Sequence, residues 1–202
     1  MKKFLFTALL ACSLLTGAQE EGLYAPAPPA DAAFVRVLNA SAEGETTSSL
    51  GNTDFEALAY GAVSPYRVVT QGAAALSAGS VSETVEVAAG RFYTVVLGDA
   101  VTLIEDPTLE NRAQALLTLY NTSEKPVNLK TADGATAVIP DVPSGEVGSI
   151  AVNPVSAAFG AFEGETVVTA FDEVQLGRGA VYSTFVLPDD TAVFVQNTTA
   201  TE

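Results

Sequence analysis

Two stretches of this chain are written twice, in the same order, and that repeat limits the architecture more than any other feature. Phe34–Ser41 (FVRVLNAS) returns as Leu116–Ser123 (LLTLYNTS), 82 positions later. Val85–Leu97 (VEVAAGRFYTVVL) returns as Val174–Leu187 (VQLGRGAVYSTFVL). Each half therefore opens on an apolar strand that ends in Asn-x-Ser. Each closes on a turn with Gly and Arg, then a strand led by Tyr. The reading is two tandem copies of one small domain, with Arg91 and Arg178 at equivalent positions in the two turns.

The text inside each copy is β-like. Period-2 alternation, β-branched and aromatic residues predict strands at Phe34–Asn39, Val81–Val87, Phe92–Leu97, Ala115–Tyr120, Pro126–Lys130, Gly148–Val152, Val155–Phe162, Thr166–Phe171 and Val181–Leu187. Gly, Pro, Asp and Asn separate them, and Asp133-Gly134 is a hairpin signal. Helical composition is weak and confined to Thr108–Leu117, enough for one turn. Glu105-Asp106-Pro107 before it is a break. The chain is thus expected to be all-β, with two tandem small antiparallel β-sandwich domains of about six or seven strands each. The expected divisions are a signal peptide (1–18), an extended Pro/Ala-rich arm (19–33), an N-terminal β-sandwich (34–105), a linker (106–114), a C-terminal β-sandwich (115–196) and a tail (197–202). Motion about the linker is expected, since interfaces between domains of one chain are often modest.

The N-terminus reads as an export signal to an extracytoplasmic compartment. Lys2 and Lys3 precede an apolar run from Phe4 to Leu15, and small residues lead to cleavage between Ala18 and Gln19. The run is too short to span a bilayer, and no later run approaches that length. Cys12, inside the signal, loosely resembles a lipid-attachment cysteine and is the only cysteine, so the mature chain has no disulfide. Apolar cores must hold it together.

Composition removes whole classes of function. There is no histidine, so neither a Ser-His-Asp nor a Cys-His nucleophile system can be built. Zinc sites made from His and Cys are excluded with them. Without Lys2 and Lys3 the chain has 7 basic against 24 acidic residues, a net charge of −17. That opposes nucleic acid, anionic membrane surfaces and bulk polyanions as partners.

The residues left as candidates are few. Glu20-Glu21, Glu105-Asp106 and Asp189-Asp190 read as solvated turn acids, because neighbours on a strand point to opposite faces. A calcium loop around Asp99, Glu105 and Asp106 lacks the required spacing. Asn39, Asn121 and Asn197 begin Asn-x-Ser/Thr triplets and are expected to form Asx-turns at strand ends. Arg36, Arg91 and Arg178 are candidate partner contacts. They could meet a carboxylate or could sit in ordinary surface pairs. Tyr24, on the Pro-rich arm, could dock in a partner groove or fold back on its own sandwich. No cofactor or metal is expected.

Residues Leu23–Pro26 followed by Phe34–Ser41, then Asn128–Gly134 and Ile150–Val155, resemble the AlgF family over essentially the whole mature chain. Leu58–Tyr66 and Val87–Leu97 are also similar to a widespread bacterial extracytoplasmic β-sandwich domain of undefined function. The AlgF resemblance implies a periplasmic protein needed for O-acetylation of mannuronate in alginate. Its implied partners are the periplasmic acetyltransferase proteins of the Ser-His-Asp kind and the membrane acyltransferase. A non-catalytic adaptor is the reading that suits a chain without histidine. The alternatives are a carbohydrate-binding module that holds polymannuronate and an acetyltransferase in its own right.

Overall fold

The computed structural model describes residues 27–41 and 44–200. The expected signal segment, its expected cleavage point at Ala18 and Gln19, and Tyr24 lie outside the described residues. Every regular element within them is a strand, and none is a helix that could cross a membrane. The first half contains β1 (Ala32–Asn39), β2 (Thr46–Leu50), β3 (Thr53–Leu58), β4 (Arg67–Thr70), β5 (Gly72–Ala78), β6 (Val81–Val87), β7 (Phe92–Leu97) and β8 (Val101–Glu105). The second contains β9 (Ala115–Asn121), β10 (Val127–Thr131), β11 (Ala137–Val142), β12 (Val147–Val152), β13 (Ser156–Ala157), β14 (Phe159–Glu163), β15 (Thr166–Ala170), β16 (Val174–Gln175), β17 (Val181–Val186) and β18 (Ala192–Gln196).

The repeat in the sequence is a repeat in topology. One four-stranded sheet in each half has the order β4-β1-β7-β8 or β12-β9-β17-β18. The other has the order β3-β2-β5-β6 or β11-β10-β14-β15. Most pairings are antiparallel, but the central pair of each first sheet, β1 with β7 and β9 with β17, is parallel. That pair joins the two segments the chain repeats. The turn before it is fixed alike in both copies. The Gly90 N–H donates to Ala32 O and the Gly179 N–H to Gln114 O, with φ of 72° at both glycines. A side chain is strained in that left-handed region, which is why glycine stands at both. The Tyr93 hydroxyl accepts the Ala88 N–H and the Tyr182 hydroxyl the Gly177 N–H, each five residues upstream.

These matched bonds correct one expectation. Tyr93 and Tyr182 are equivalent, 89 positions apart, so Arg178 corresponds to Ala89 and Arg91 to Ala180. Arg91 and Arg178 do not occupy the same place in the repeat.

Alternation along the central strands explains the stacking. On β1, Ala33, Val35 and Val37 face the β3-β2-β5-β6 sheet and join Leu50, Phe55 and Leu76 in the core of the first sandwich. On β9, Ala115, Leu117 and Leu119 do the same with Leu129, Ile139 and Phe159 in the second. The opposite faces of these strands are buried too. Leu38 and Val96 of the first half pack on Tyr120, Phe185 and Leu187 of the second, forming a third apolar cluster between the sandwiches. Strands covered on both faces read as near-continuous apolar runs, as β9 does. Burying each such Leu or Phe side chain stabilises the seam by about 1.5–3 kcal/mol.

The connection after β8 is therefore held rather than free. The Asp106 N–H donates to Phe92 O, and its side chain turns inward to the seam. The expected helical turn at Thr108–Leu117 is a bend closed by Gln114 N–H to Asn111 O, and Ala115–Leu117 already belong to β9. The connection read from sequence as a linker runs beside a seam that has an apolar core of its own.

Candidate functional site

The seam also carries a buried polar cluster, built from residues that the two-sided strands aim away from their own cores. Arg36 of β1, with a relative exposure of 1%, is the centre. Its Nε donates to Thr94 Oγ1 at 2.8 Å, Nη1 to Asn197 Oδ1 at 2.7 Å, and Nη2 to Ser183 Oγ at 2.9 Å and Tyr120 Oη at 3.2 Å. Its charge is met by Asp106, whose Oδ2 lies 3.8 Å from Nε. Asp106 in turn accepts from Tyr66 Oη at 2.6 Å and Tyr120 Oη at 2.8 Å, and Thr94 Oγ1 is 2.7 Å from its Oδ1. The guanidinium lies against the rings of Tyr66, Phe185 and Tyr120, with its carbon 4.7, 5.0 and 5.5 Å from their centroids. A buried charge is tolerated only when paired and hydrogen-bonded, and here both partners are.

Tyr66 and Tyr120 are held un-ionised. Burial pushes both hydroxyls well above the ordinary value of 10.0. The Asp106 carboxylate pushes the same way and Arg36 opposes it. As neutral donors they satisfy the Asp106 oxygens. The cluster joins β1, β7, β9, β17, the connection and the segment after β18. Its bonds run between the sandwiches, from Arg36 and Asp106 to Tyr120, Ser183 and Asn197.

The other sequence candidates separate from this cluster. Arg36, read as a partner contact, is enclosed within the chain. Arg91 is exposed and pairs with Glu105 at 3.2 Å. Glu105 and Asp106 point apart as neighbours on an extended segment should, so the two acids do not converge, and Asp106 is not a solvated turn acid. Asn39 and Asn121 accept the Ser41 and Ser123 N–H groups, forming equivalent Asx-turns. Asn197, expected to do likewise, gives its carbonyl oxygen to Arg36 and Ser183 instead. Arg178 is exposed beside a cleft of about 720 Å³ at one end of the seam. A second cleft, of about 500 Å³, is lined by Tyr60, Asp99, Glu124, Glu146 and Asp189 among others. Sequence reasoning missed Asp106, Tyr66 and Tyr120. The available signal was a lone Arg in an otherwise apolar run, at the position where the repeat copy carries Thr118.

Comparison with known proteins gives a consistent relation. Residues 7–183 match the family model described as "Alginate O-acetyl transferase AlgF". The alginate biosynthesis protein AlgF of Pseudomonas syringae pv. tomato is 34% identical over 169 residues, which is 83% of this chain and 76% of that protein. The AlgF of Azotobacter vinelandii is 33% identical over 171 residues, covering 84% and 78% of the two chains. A solved structure of the C-terminal domain of AlgF from P. aeruginosa is 33% identical, covers 42% of this chain and 96% of that one, and superposes with a TM-score of 0.38.

Proposed function

Since the chain belongs to the AlgF family, we propose that it acts in alginate biosynthesis as a non-catalytic periplasmic adaptor, needed for O-acetylation of mannuronate residues, that links the acetyltransferase components. The observation that carries the adaptor reading is where the exposed large apolar side chains fall. Of the four among the described residues, Val81 lies on β6, Ile150 on β12 and Val167 on β15, each the terminal strand of its sheet, and Val155 lies just before β13. Terminal strands also present unpaired backbone donors and acceptors. Such an edge takes an extended partner segment by strand addition, with apolar side chains adding contact area.

Two features support the non-catalytic half of the reading. The chain has no histidine, so acyl transfer by a Ser-His-Asp system belongs to another component. The buried Arg36–Asp106 cluster is closed on itself by intramolecular bonds. The seam supports the linking half, because a joined pair of sandwiches offers partners a surface of fixed shape.

Titration of residues 19–202 into a purified periplasmic alginate O-acetyltransferase tests the reading. Saturable binding at micromolar concentration or below is expected, with no acetyl turnover when an activated acetyl donor is added to this chain alone. Absence of binding to the acetyltransferase, or turnover by this chain, would refute it.

A further inference from the structure

Seven basic residues lie among the described residues, in a chain with 24 acidic ones. Arg36, Arg91, Lys125 and Lys130 each pair with a carboxylate, and Arg67 donates to the Asp54 carbonyl. Arg112 and Arg178 are the two that do neither among the described residues. Both are exposed, and both line the 720 Å³ cleft at the end of the seam. No Asp or Glu lines that cleft. In so acidic a chain, two uncompensated guanidiniums in one acid-free cleft are a local reversal of the field that a carboxylate would neutralise.

The cleft is built from both halves and the connection. Tyr66 and Phe92 come from the first sandwich, Val181 and Thr198 from the second, and Leu109 from between. The bond from Gly179 N–H to Gln114 O ties the turn bearing Arg178 to the foot of the connection bearing Arg112. Both cations are therefore presented by backbone fixed at the seam.

The geometry points to this cleft as the docking site for a carboxylate-bearing, extended segment of a partner protein, with Arg112 and Arg178 holding its acidic side chains. This rests on the adaptor reading and names a surface for it. A sugar polymer is the poorer occupant. The Phe92 ring is stacked on Phe34 at 4.6 Å and makes a T-shaped contact with Tyr66 at 5.1 Å, so it is already engaged in aromatic packing. A long polyuronate would also run out of the cleft into the field of a chain of net charge −15. A short segment with one or two acids avoids that field. The end of β18, the terminal strand of its sheet, lines the cleft and offers backbone groups to such a segment.

The test compares wild-type residues 19–202 with Arg112→Glu/Arg178→Glu and with Arg91→Glu, a control outside the cleft, in titrations against the same acetyltransferase. Because both cleft arginines are exposed, the double variant should keep its thermal midpoint. It is expected to bind about tenfold more weakly or worse, with the control within about twofold of wild type. Equal affinity of the double variant and wild type overturns the cleft assignment and leaves the adaptor reading standing. No binding by wild type overturns both. Binding of polymannuronate fragments by wild type that the double variant loses would give the cleft to the saccharide and overturn the protein-segment assignment.

Discussion

Replacing Arg36 by Met is the sharpest single test of the seam. The substitution keeps most of the apolar stem and removes four hydrogen bonds, to Thr94, Asn197, Ser183 and Tyr120. It leaves the Asp106 carboxylate, whose side chain is 3% exposed, without its cation. Stranding one member of a buried pair costs about 3–5 kcal/mol. Tyr66, Tyr120 and Thr94 still reach Asp106, which places the cost near the lower end, at about 3 kcal/mol. For a chain of this size that corresponds to a fall in Tm of roughly 6–12 °C. The assay is urea unfolding of residues 19–202 at neutral pH, followed by tyrosine fluorescence, since the chain has no tryptophan. Neither sandwich core contains Arg36, so the loss should appear as separation of the curve into two transitions. In Arg36→Met/Asp106→Asn the combined cost should fall short of the sum of the single costs by about 1–3 kcal/mol. A loss below about 1 kcal/mol for Arg36→Met, or additivity in the double variant, would refute the reasoning.

Four further outcomes follow from the same geometry. Tyr66→Phe and Tyr120→Phe each remove a neutral donor to a buried carboxylate and should cost about 1.5–3 kcal/mol in the same urea assay. Both hydroxyls are raised above 10.0 in the folded chain, so their contribution is complete below pH 10 and is lost as pH climbs above it. An ultraviolet titration should show them ionising only as the fold is lost, whereas simple titration near pH 10 with the fold intact would contradict this. Gly148→Ala should destabilise by about 1–3 kcal/mol, because the added Cβ would stand 2.6 Å from Ile139 Cγ2 and 2.7 Å from Val142 Cγ2. Arg91→Ala, which breaks only an exposed pair with Glu105, should change stability by less than about 1 kcal/mol in thermal melts.

The class of fold was legible because the two most buried segments are also the two that repeat. β6 and β7 fall at the predicted bounds, and β1, β9 and β17 within two residues of theirs. Strands whose composition argues against β-structure were not legible. β5 is GAAALSA, dominated by Ala, and β2 (TTSSL) has Ser at two of its five positions and one large apolar residue, yet both are held by pairing and by Leu76 and Leu50 in the core. The predicted Val155–Phe162 strand is two pieces, β13 and β14, which belong to different sheets. The parallel central pairs were hidden because parallel register leaves no turn signal between neighbours. The seam was hidden for a different reason. Asp106 sits before a proline in what reads as a surface break, and only the fold brings it to Arg36, Tyr66 and Tyr120 from elsewhere in the chain. The isolated Arg at position 36 was the one visible hint. A charge on a strand buried on both faces needs a partner, but sequence does not say which acid supplies it.

An adaptor must hold two partners at once, and sedimentation analysis of the periplasmic acetylation proteins tests that most directly. Two such components are mixed with and without residues 19–202. The account predicts a ternary species that contains all three chains and forms only when this one is present. Pairwise complexes that exclude each other, or association of the other two that is unchanged by adding this chain, would contradict it.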